Sequence, residues 1–229
     1  MYKFLFATFL LFATSIECTS QKLAVKVGTA IPLNYHVGLD YQFHEKFSAG
    51  LNLGLLTSPY NLAIYSILGA FDIDDAIINT IGGAFNYGLI AQPEIRYHFK
   101  KNYFGILYSY YYLSAKETPI DAMQNYYGNN LQDRNTLRNK EFSLGCQLHN
   151  AGLLYGRIIP LKNEKMQIRL ELSLSKTFAS KSTLSSERNL NLTKINEQIQ
   201  AELNGYFIQY AYLPSINVQW VYLIGKSSK

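Results

Sequence analysis

Three side chains in one short stretch have the types that hydrolytic enzymes use. Glu141, Ser143 and His149 lie at odd positions, so on a strand they would share one face. A histidine beside a hydroxyl and a carboxylate is the arrangement that activates a serine nucleophile. No hydroxyl residue lies two positions from His149, however, and side chains of these types also fill barrel interiors. We therefore expect them to be structural and the protein not to be an enzyme.

The candidate metal ligands are equally sparse. The 4 histidines and 2 cysteines show no HxH, HExxH or paired-cysteine spacing, and we expect His36 and His98 to fill the interior of the fold. Asp72, Asp74 and Asp75 lack the remaining ligand spacing of a calcium loop. They suit the first turn of a short helix, where acidic groups favour the helix dipole. We predict no metal and no cofactor, and a helix built on Ile73, Ile77 and Ile81.

Composition excludes several classes of protein. The 229 residues are 48% hydrophobic and only 16% charged, which is too apolar for a disordered chain. The net charge of +5 comes from scattered basic residues, so the clustered pattern of a nucleic-acid binder is missing. No apolar run in the body of the chain approaches the roughly 20 residues of a membrane-spanning helix.

The N-terminal segment has the pattern of a signal peptide. Lys3 precedes an apolar stretch, and small residues follow it, so we predict cleavage after Ser20 and a mature domain of residues 21–229. Removal of residues 1–20 leaves a single cysteine, Cys146. An internal disulfide is therefore excluded, although the predicted compartment is oxidising.

The body of the chain has the two-residue period of β-strands. In residues 89–99, Leu89 and Ile95 fall on an apolar face while Glu94 and Arg96 fall on a polar face. Most of these strands have the length of about 9–11 residues that a tilted strand needs to cross a bilayer. The pattern predicts eight strands, over residues 23–30, 35–43, 47–55, 89–99, 103–113, 141–148, 166–174 and 216–224.

The connections alternate between short turns and long segments, except that the first two strands are joined by a short link around Pro32. This alternation and the even strand count are typical of an outer-membrane barrel. We predict an all-β fold, an eight-stranded antiparallel up-and-down transmembrane β-barrel with short periplasmic turns, long extracellular loops, one or two loop helices and both termini in the periplasm. The predicted turns are 44–46, 100–102 and 161–165, and the predicted outside segments are 57–86, 116–140 and 179–214.

Two features favour a membrane barrel over a soluble barrel, which would turn its apolar face inward. Small residues on the polar face suit a tight interior: Gly28, Gly38, Gly50, Gly54, Gly105 and Gly145. Aromatic residues on the apolar face suit two interfacial girdles. The predicted girdle residues are Tyr35, Phe43, Phe47, Tyr97, Phe99, Phe104, Tyr110, Tyr112, Phe142, Trp220 and Tyr222.

Charged residues of the polar face lie near the short turns. Eight strands leave an interior only wide enough for side chains, and charges persist there when they are paired. We therefore predict a lumen closed by a charge network. Its predicted members are Lys26, Asp40, Glu94, Arg96, Arg157, Arg169 and Glu171.

The mature chain from Lys22 onward resembles the PorT-like eight-stranded outer-membrane β-barrel proteins. The resemblance rests on GTAIPLNYHVGLDYQFHEKFSAGLNLGLL, QPEIRYHFKKNYFGILYSYYY, HNAGLLYGRIIPL and the closing strand INVQWVYLI. It implies an outer-membrane location in a Gram-negative-type bacterium. Since some relatives take part in secretion assemblies, it also implies that a partner protein is involved.

A second helical pattern precedes the last strand, with Thr193 as a possible N-cap and Gly205 just past the end. Its apolar stripe could pack on the first predicted helix as a cap over the barrel, or dock another envelope protein. The predicted contact surface comprises Ile73, Ile77, Ile81, Ile195, Ile199 and Leu203.

Three functions follow from these patterns. The first is a structural or interaction component of the cell envelope that contacts outer-membrane lipid and docks a partner through its loops. The second is a small passive pore, and the third is a lipid-modifying enzyme. Nucleic acid is not an expected partner.

Overall fold

Eight antiparallel strands form a closed barrel in the computed structural model of the chain. Each strand pairs with the next, and β8 closes the barrel on β1, which confirms the predicted eight-stranded up-and-down fold. The structure describes residues 22–60, 87–116, 142–186 and 211–224, with 201, 204, 205 and 207–209. The strands are β1 (Lys22–Ile31), β2 (Asn34–His44), β3 (Phe47–Leu56), β4 (Tyr87–Phe99), β5 (Asn102–Lys116), β6 (Phe142–Pro160), β7 (Met166–Ser186) and β8 (Tyr212–Ile224).

The two faces of the wall differ in polarity because successive side chains point to opposite sides of a strand. On β1, Lys26 is buried inside the barrel, whereas Val25 and Val27 are exposed on the outer surface. On β8, Asn217 is buried inside and Trp220 is exposed outside. The barrel therefore has a largely apolar outer surface and a lumen that holds buried polar groups.

Three tight turns define one end of the barrel, here called the short-turn end. They join β2 to β3, β4 to β5 and β6 to β7, as the sequence predicted. The second turn contains Lys100, whose φ of 55° lies in the left-handed region that tight turns often require. In the third turn, the amide of Lys165 donates a hydrogen bond to Asn163 Oδ1 over 3.0 Å. The opposite end is here called the long-connection end.

Strands β6 and β7 are longer than predicted. The predicted strands stopped at residues 148 and 174, but β6 has 19 residues and β7 has 21. The two strands pair along this whole length, with one irregularity at His149/Asn150. On β7 the alternation ended at Leu174 because Lys176 follows on the outer face. On β6 it ended at Leu148 because apolar residues lie on both faces beyond it, as with exposed Leu153 and buried Leu154. Backbone pairing does not depend on that polarity.

This extension corrects the predicted loop boundaries. Residues 179–186 belong to β7, so the last long connection begins later than residue 179. The backbone of residues 204, 205 and 207–209 is helical, so Gly205 lies within helical backbone and not past its end. No helix in these described parts of the chain is long and apolar enough to cross a membrane.

Several predicted features lie outside the described residues. They are the signal peptide (residues 1–20), the N-cap Thr193 and the contact surface of Ile73, Ile77, Ile81, Ile195, Ile199 and Leu203.

Candidate functional site

Six charged side chains meet inside the barrel near the short-turn end. Each is at most 5% exposed, and they come from β1, β2, β4 and β7. They arrive at one place because each lies at an inward position a few residues from that end. This charge cluster comprises Lys26, Asp40, Glu94, Arg96, Arg169 and Glu171.

Arg96 connects carboxylates from three strands. Its Nη1 lies 2.8 Å from Asp40 Oδ2 on β2, and its Nη2 lies 2.5 Å from Glu94 Oε1 on β4. The same Nη2 lies 2.9 Å from Glu171 Oε1 on β7. Because the guanidinium presents several donors in a fixed plane, one side chain can bind three acceptors. Arg96 thereby ties together strands that do not all pair with one another.

Lys26 and Arg169 complete the charge balance. Lys26 Nζ lies 2.7 Å from Asp40 Oδ1 and 2.5 Å from Glu94 Oε1. Arg169 Nη1 forms an ion pair with Asp40 Oδ2. The cluster thus contains three cations and three carboxylates, and its formal charges cancel. Such pairing is what allows ionised groups to remain buried.

Neutral donors satisfy the remaining oxygens of Glu171. The hydroxyl of Tyr103 donates to Glu171 Oε1 over 2.6 Å. The side-chain amides of Asn217 and Gln219 each donate to Glu171 Oε2 over 2.8 Å. The sequence prediction named charged residues only and missed these three. The signal in the sequence that could have identified them is their position on the inward-facing side of β5 and β8.

The ring of Tyr103 fills the space between the cluster and the wall. Its centroid lies 5.2 Å from Arg96 Cζ and 5.9 Å from Arg169 Cζ, within the range of cation–π contacts. Gly156 lies against the ring, and a Cβ there would come within 2.5 Å of the Tyr103 hydroxyl. A glycine at this position therefore permits the ring to lie flat against β6.

The prediction was wrong for Arg157, which does not join the cluster. On β6 the even-numbered residues from Cys146 to Ile158 face inward, so Arg157 is exposed on the outer surface. It pairs in register with Asn102 and lies near the short-turn end. A charged group can reach water there without being buried.

The same alternation along β6 shows that His149 and Gly145, which the sequence predicted to face inward, lie on the outer side. His149 lies on the outer side, where its Nδ1 is 2.6 Å from the hydroxyl of Tyr108, itself exposed. The side chains of Glu141 and Ser143 lie outside the described part of the structure. The histidine thus contacts a phenol, not the hydroxyl of a predicted nucleophile.

The lumen changes character towards the long-connection end. There many of the buried side chains are apolar, beside polar ones such as Asn34 and Ser182, although the sequence prediction assigned polar residues to the interior throughout. The members of this apolar plug are Leu33, Leu56, Ile90, Tyr111, Leu113, Cys146 and Leu148.

A row of aromatic rings runs around part of the outer surface at the short-turn end. Neighbouring ring centroids along it are 5.0 to 6.5 Å apart. It includes Tyr155, which the sequence prediction omitted. The row comprises Phe43, Phe47, Tyr97, Phe99, Phe104 and Tyr155.

The other predicted girdle residues lie on β2, β5, β6 and β8. Tyr35, Tyr112, Trp220 and Tyr222 are exposed on the outer surface, and Tyr110 is partly exposed there. The side chain of Phe142 is not among those described.

Comparison with known proteins finds neither a matching family model nor a matching curated protein. The chain is similar to a major outer membrane protein from Thermus thermophilus, with 14% identity, a TM-score of 0.45, and coverage of 90% of this chain and 100% of that one. It is also similar to Acinetobacter baumannii CarO2, with 10% identity, a TM-score of 0.38, and coverage of 89% and 98%.

A third solved structure is the N-terminal β-barrel domain of Pseudomonas aeruginosa OprF. It shares 7% identity with this chain and has a TM-score of 0.39, covering 89% of this chain and 96% of that one. The PorT-like resemblance has no matching family model behind it and stays a prediction.

Proposed function

We propose that the protein is an integral outer-membrane β-barrel with a closed lumen, and that it acts as a structural or interaction component of the cell envelope. The observation that carries this proposal is the distribution of polarity across the wall. The outer surface is apolar, while paired charges fill the lumen near the short-turn end. A soluble barrel would have the opposite arrangement.

The exposed apolar side chains support a lipid environment. Leu53 is 55% exposed, Ile106 is 58% exposed and Leu153 is 68% exposed, and each lies on a different strand. Large exposed hydrophobic residues occur on all eight strands. A soluble monomer rarely exposes so continuous an apolar surface, because water contacts it unfavourably. A bilayer would cover this band and leave both ends in water.

The packing of the lumen favours a closed barrel over a passive pore. Eight strands leave an interior that side chains can fill. The charge cluster lies near the short turns, and the apolar plug lies towards the other end. An ion entering this lumen would have to break paired charges and then cross an apolar layer, which is unfavourable.

The long connections are the part of the protein that we propose to dock a partner. With the short turns and both termini in the periplasm, these segments extend outside the cell. The PorT-like resemblance supports a partner from a secretion or assembly system, since some relatives take part in such systems. No enzymatic step belongs to this proposal.

Fluorescence of the single tryptophan tests the membrane assignment. Trp220 is 53% exposed on the outer surface. In vesicles made with brominated phospholipid, its emission should be strongly quenched, while aqueous iodide should quench it weakly. The reverse result would show that this surface faces water and would refute the proposed location.

Planar bilayer recording and affinity purification test the other parts of the proposal. The reconstituted protein should give no large, steady single-channel current, and such a current would favour the pore. Purification from detergent-solubilised outer membranes should recover a companion protein in stoichiometric amount. Recovery of the barrel alone would argue against the interaction role.

A further inference from the structure

A small polar cavity lies in the lumen between the charge cluster and the apolar plug. Its volume is about 10 Å³, which is enough for about one water molecule. Five of its lining side chains carry hydrogen-bonding groups, and these are Asn34, His36, Asn52, Gln92 and Asn217.

Three of the lining residues each hold a buried polar atom that has no partner. They are His36 Nε2, Asn52 Oδ1 and Asn217 Oδ1, and they lack a hydrogen bond to any described residue. The three side chains come from β2, β3 and β8 and are 5%, 4% and 5% exposed. A buried polar atom that loses water and gains no partner is unfavourable. Three such residues around one cavity indicate that something polar binds there.

The neighbouring hydrogen bonds define what this ligand must be. The amide nitrogen of Asn52 donates to Glu94 Oε1 over 3.1 Å, and that of Asn217 donates to Glu171 Oε2 over 2.8 Å. These bonds fix the orientation of both amides, so both oxygens remain as acceptors. In the neutral tautomer protonated at Nε2, His36 supplies a donor. With His36 in this tautomer, the ligand must donate two hydrogen bonds and accept one.

We propose that the cavity binds one ordered water molecule. The water donates its two hydrogens to Asn52 Oδ1 and Asn217 Oδ1 and accepts the Nε2 hydrogen of His36. Three hydrogen bonds are the usual number for a buried water. Through Asn52 and Asn217 the water is connected to Glu94 and Glu171, so it extends the charge cluster towards the middle of the barrel.

Charge balance argues against a bound cation at this position. The nearby cluster has three cations for its three carboxylates, so it offers no excess negative charge. Both carboxylates next to the cavity are already paired: Glu94 with Lys26 and Arg96, and Glu171 with Arg96. A neutral ligand meets the hydrogen-bonding need without an unpaired charge.

Crystallography of the full mature chain in detergent, with and without rubidium chloride, tests this proposal. We expect a density peak about 2.7–3.2 Å from His36 Nε2 and from at least one of the two amide oxygens, without anomalous signal from rubidium. An anomalous peak would show a monovalent cation and overturn the water assignment. A direct bond between His36 and either asparagine, with no peak, would also overturn it.

Solution measurements on a matched pair of variants keep the proposal testable without crystals. In protein with ¹⁵N-labelled histidine in bicelles, the His36 ring should show a cross-relaxation signal to a water of long residence. His36→Phe keeps a ring of similar size but removes the labelled nitrogen, so loss of the signal in this variant assigns the signal to His36. His44→Phe, at an exposed position beside a turn, should leave it unchanged. Absence of the signal in the unmodified protein, or its persistence in His36→Phe, would overturn the proposal.

Discussion

Arg96 shows how a single residue can organise the lumen. It has no exposed surface, and it contacts carboxylates on β2, β4 and β7. Removal of a buried cation leaves its acceptors charged and unpaired, and this is the main cause of the loss of stability. The size of the effect therefore depends on burial and not on charge alone.

We predict that Arg96→Met lowers the free energy of unfolding by about 3–5 kcal/mol. Methionine keeps much of the side-chain volume but cannot pair with Asp40, Glu94 or Glu171. Urea unfolding of the protein refolded in lipid vesicles, followed by Trp220 fluorescence, measures the change.

Arg157→Met provides the matched control, because Arg157 is exposed on the outer surface. An exposed substitution of this kind changes stability by about 0.5 kcal/mol or less. Equal losses in the two variants would mean that the charge cluster does not stabilise the barrel.

Sequence periodicity predicted six of the charges at this site because each continues the inward phase of its strand. It placed Arg157 wrongly, since the polar residues at odd positions of β6, such as Gln147 and Arg157, lie on the outer side, opposite the buried Leu148 and Leu154. Tyr103 was missed for a different reason. From the sequence alone, a tyrosine on the inward face is expected only to fill space. Its role becomes clear from the hydrogen bond that its hydroxyl donates to Glu171.

At the level of elements, the pairing of β4 with β5 contains an interruption. The register includes Ala91↔Tyr110 and Glu94↔Leu107, but Gln92 and Pro93 have no partners across this ladder. On the other side, Pro93 pairs with Leu51 in an unbroken ladder. Proline lacks an N–H, so we infer that its missing donor faces β5.

We predict that Pro93→Val restores this part of the ladder. Valine suits an exposed apolar strand position, and its N–H can bond to the backbone opposite. Amide hydrogen exchange at Tyr108 should become slower, and the free energy of unfolding should rise by about 0.5–1.5 kcal/mol for each bond gained.

Pro214→Val is the control for this change. Pro214 pairs with Leu174 on β7, while the pairing of β8 with β1 begins at Ile216, so the other side of Pro214 has no ladder to restore. Slower amide exchange at Tyr108 in both variants, or in neither, would contradict the inference about Pro93.

The strands were predictable where an apolar band alternates with polar residues, as in Met166 to Leu174. The missed ends of β6 and β7 have different causes. On β7 the outer face carries Lys176 and Lys181 beyond Leu174, whereas on β6 apolar residues lie on both faces beyond Leu148, as with exposed Leu153 and buried Leu154. Burial there depends on neighbouring strands that periodicity alone does not identify.

The barrel as a whole is asymmetric from end to end. Short turns and paired charges occupy one end, and long connections and the apolar plug occupy the other. The sequence predicted the alternation of connections, but it did not predict the apolar plug. The plug forms from residues such as Leu33 and Leu113, which lie far apart in the chain and are buried only when the barrel closes.

This asymmetry leads to a prediction about orientation in the membrane. We expect the turn residue Lys101 to face the periplasm and Asn129, in the connection between β5 and β6, to face outside. In intact cells, a membrane-impermeant maleimide should label Asn129→Cys, whereas Lys101→Cys should be labelled only after the outer membrane is permeabilised. The native Cys146 is 1% exposed, so the folded parent protein should give little background. Labelling of Lys101→Cys in intact cells, with Asn129→Cys protected, would show that the barrel has the opposite orientation and that the long connections cannot meet a partner at the cell surface.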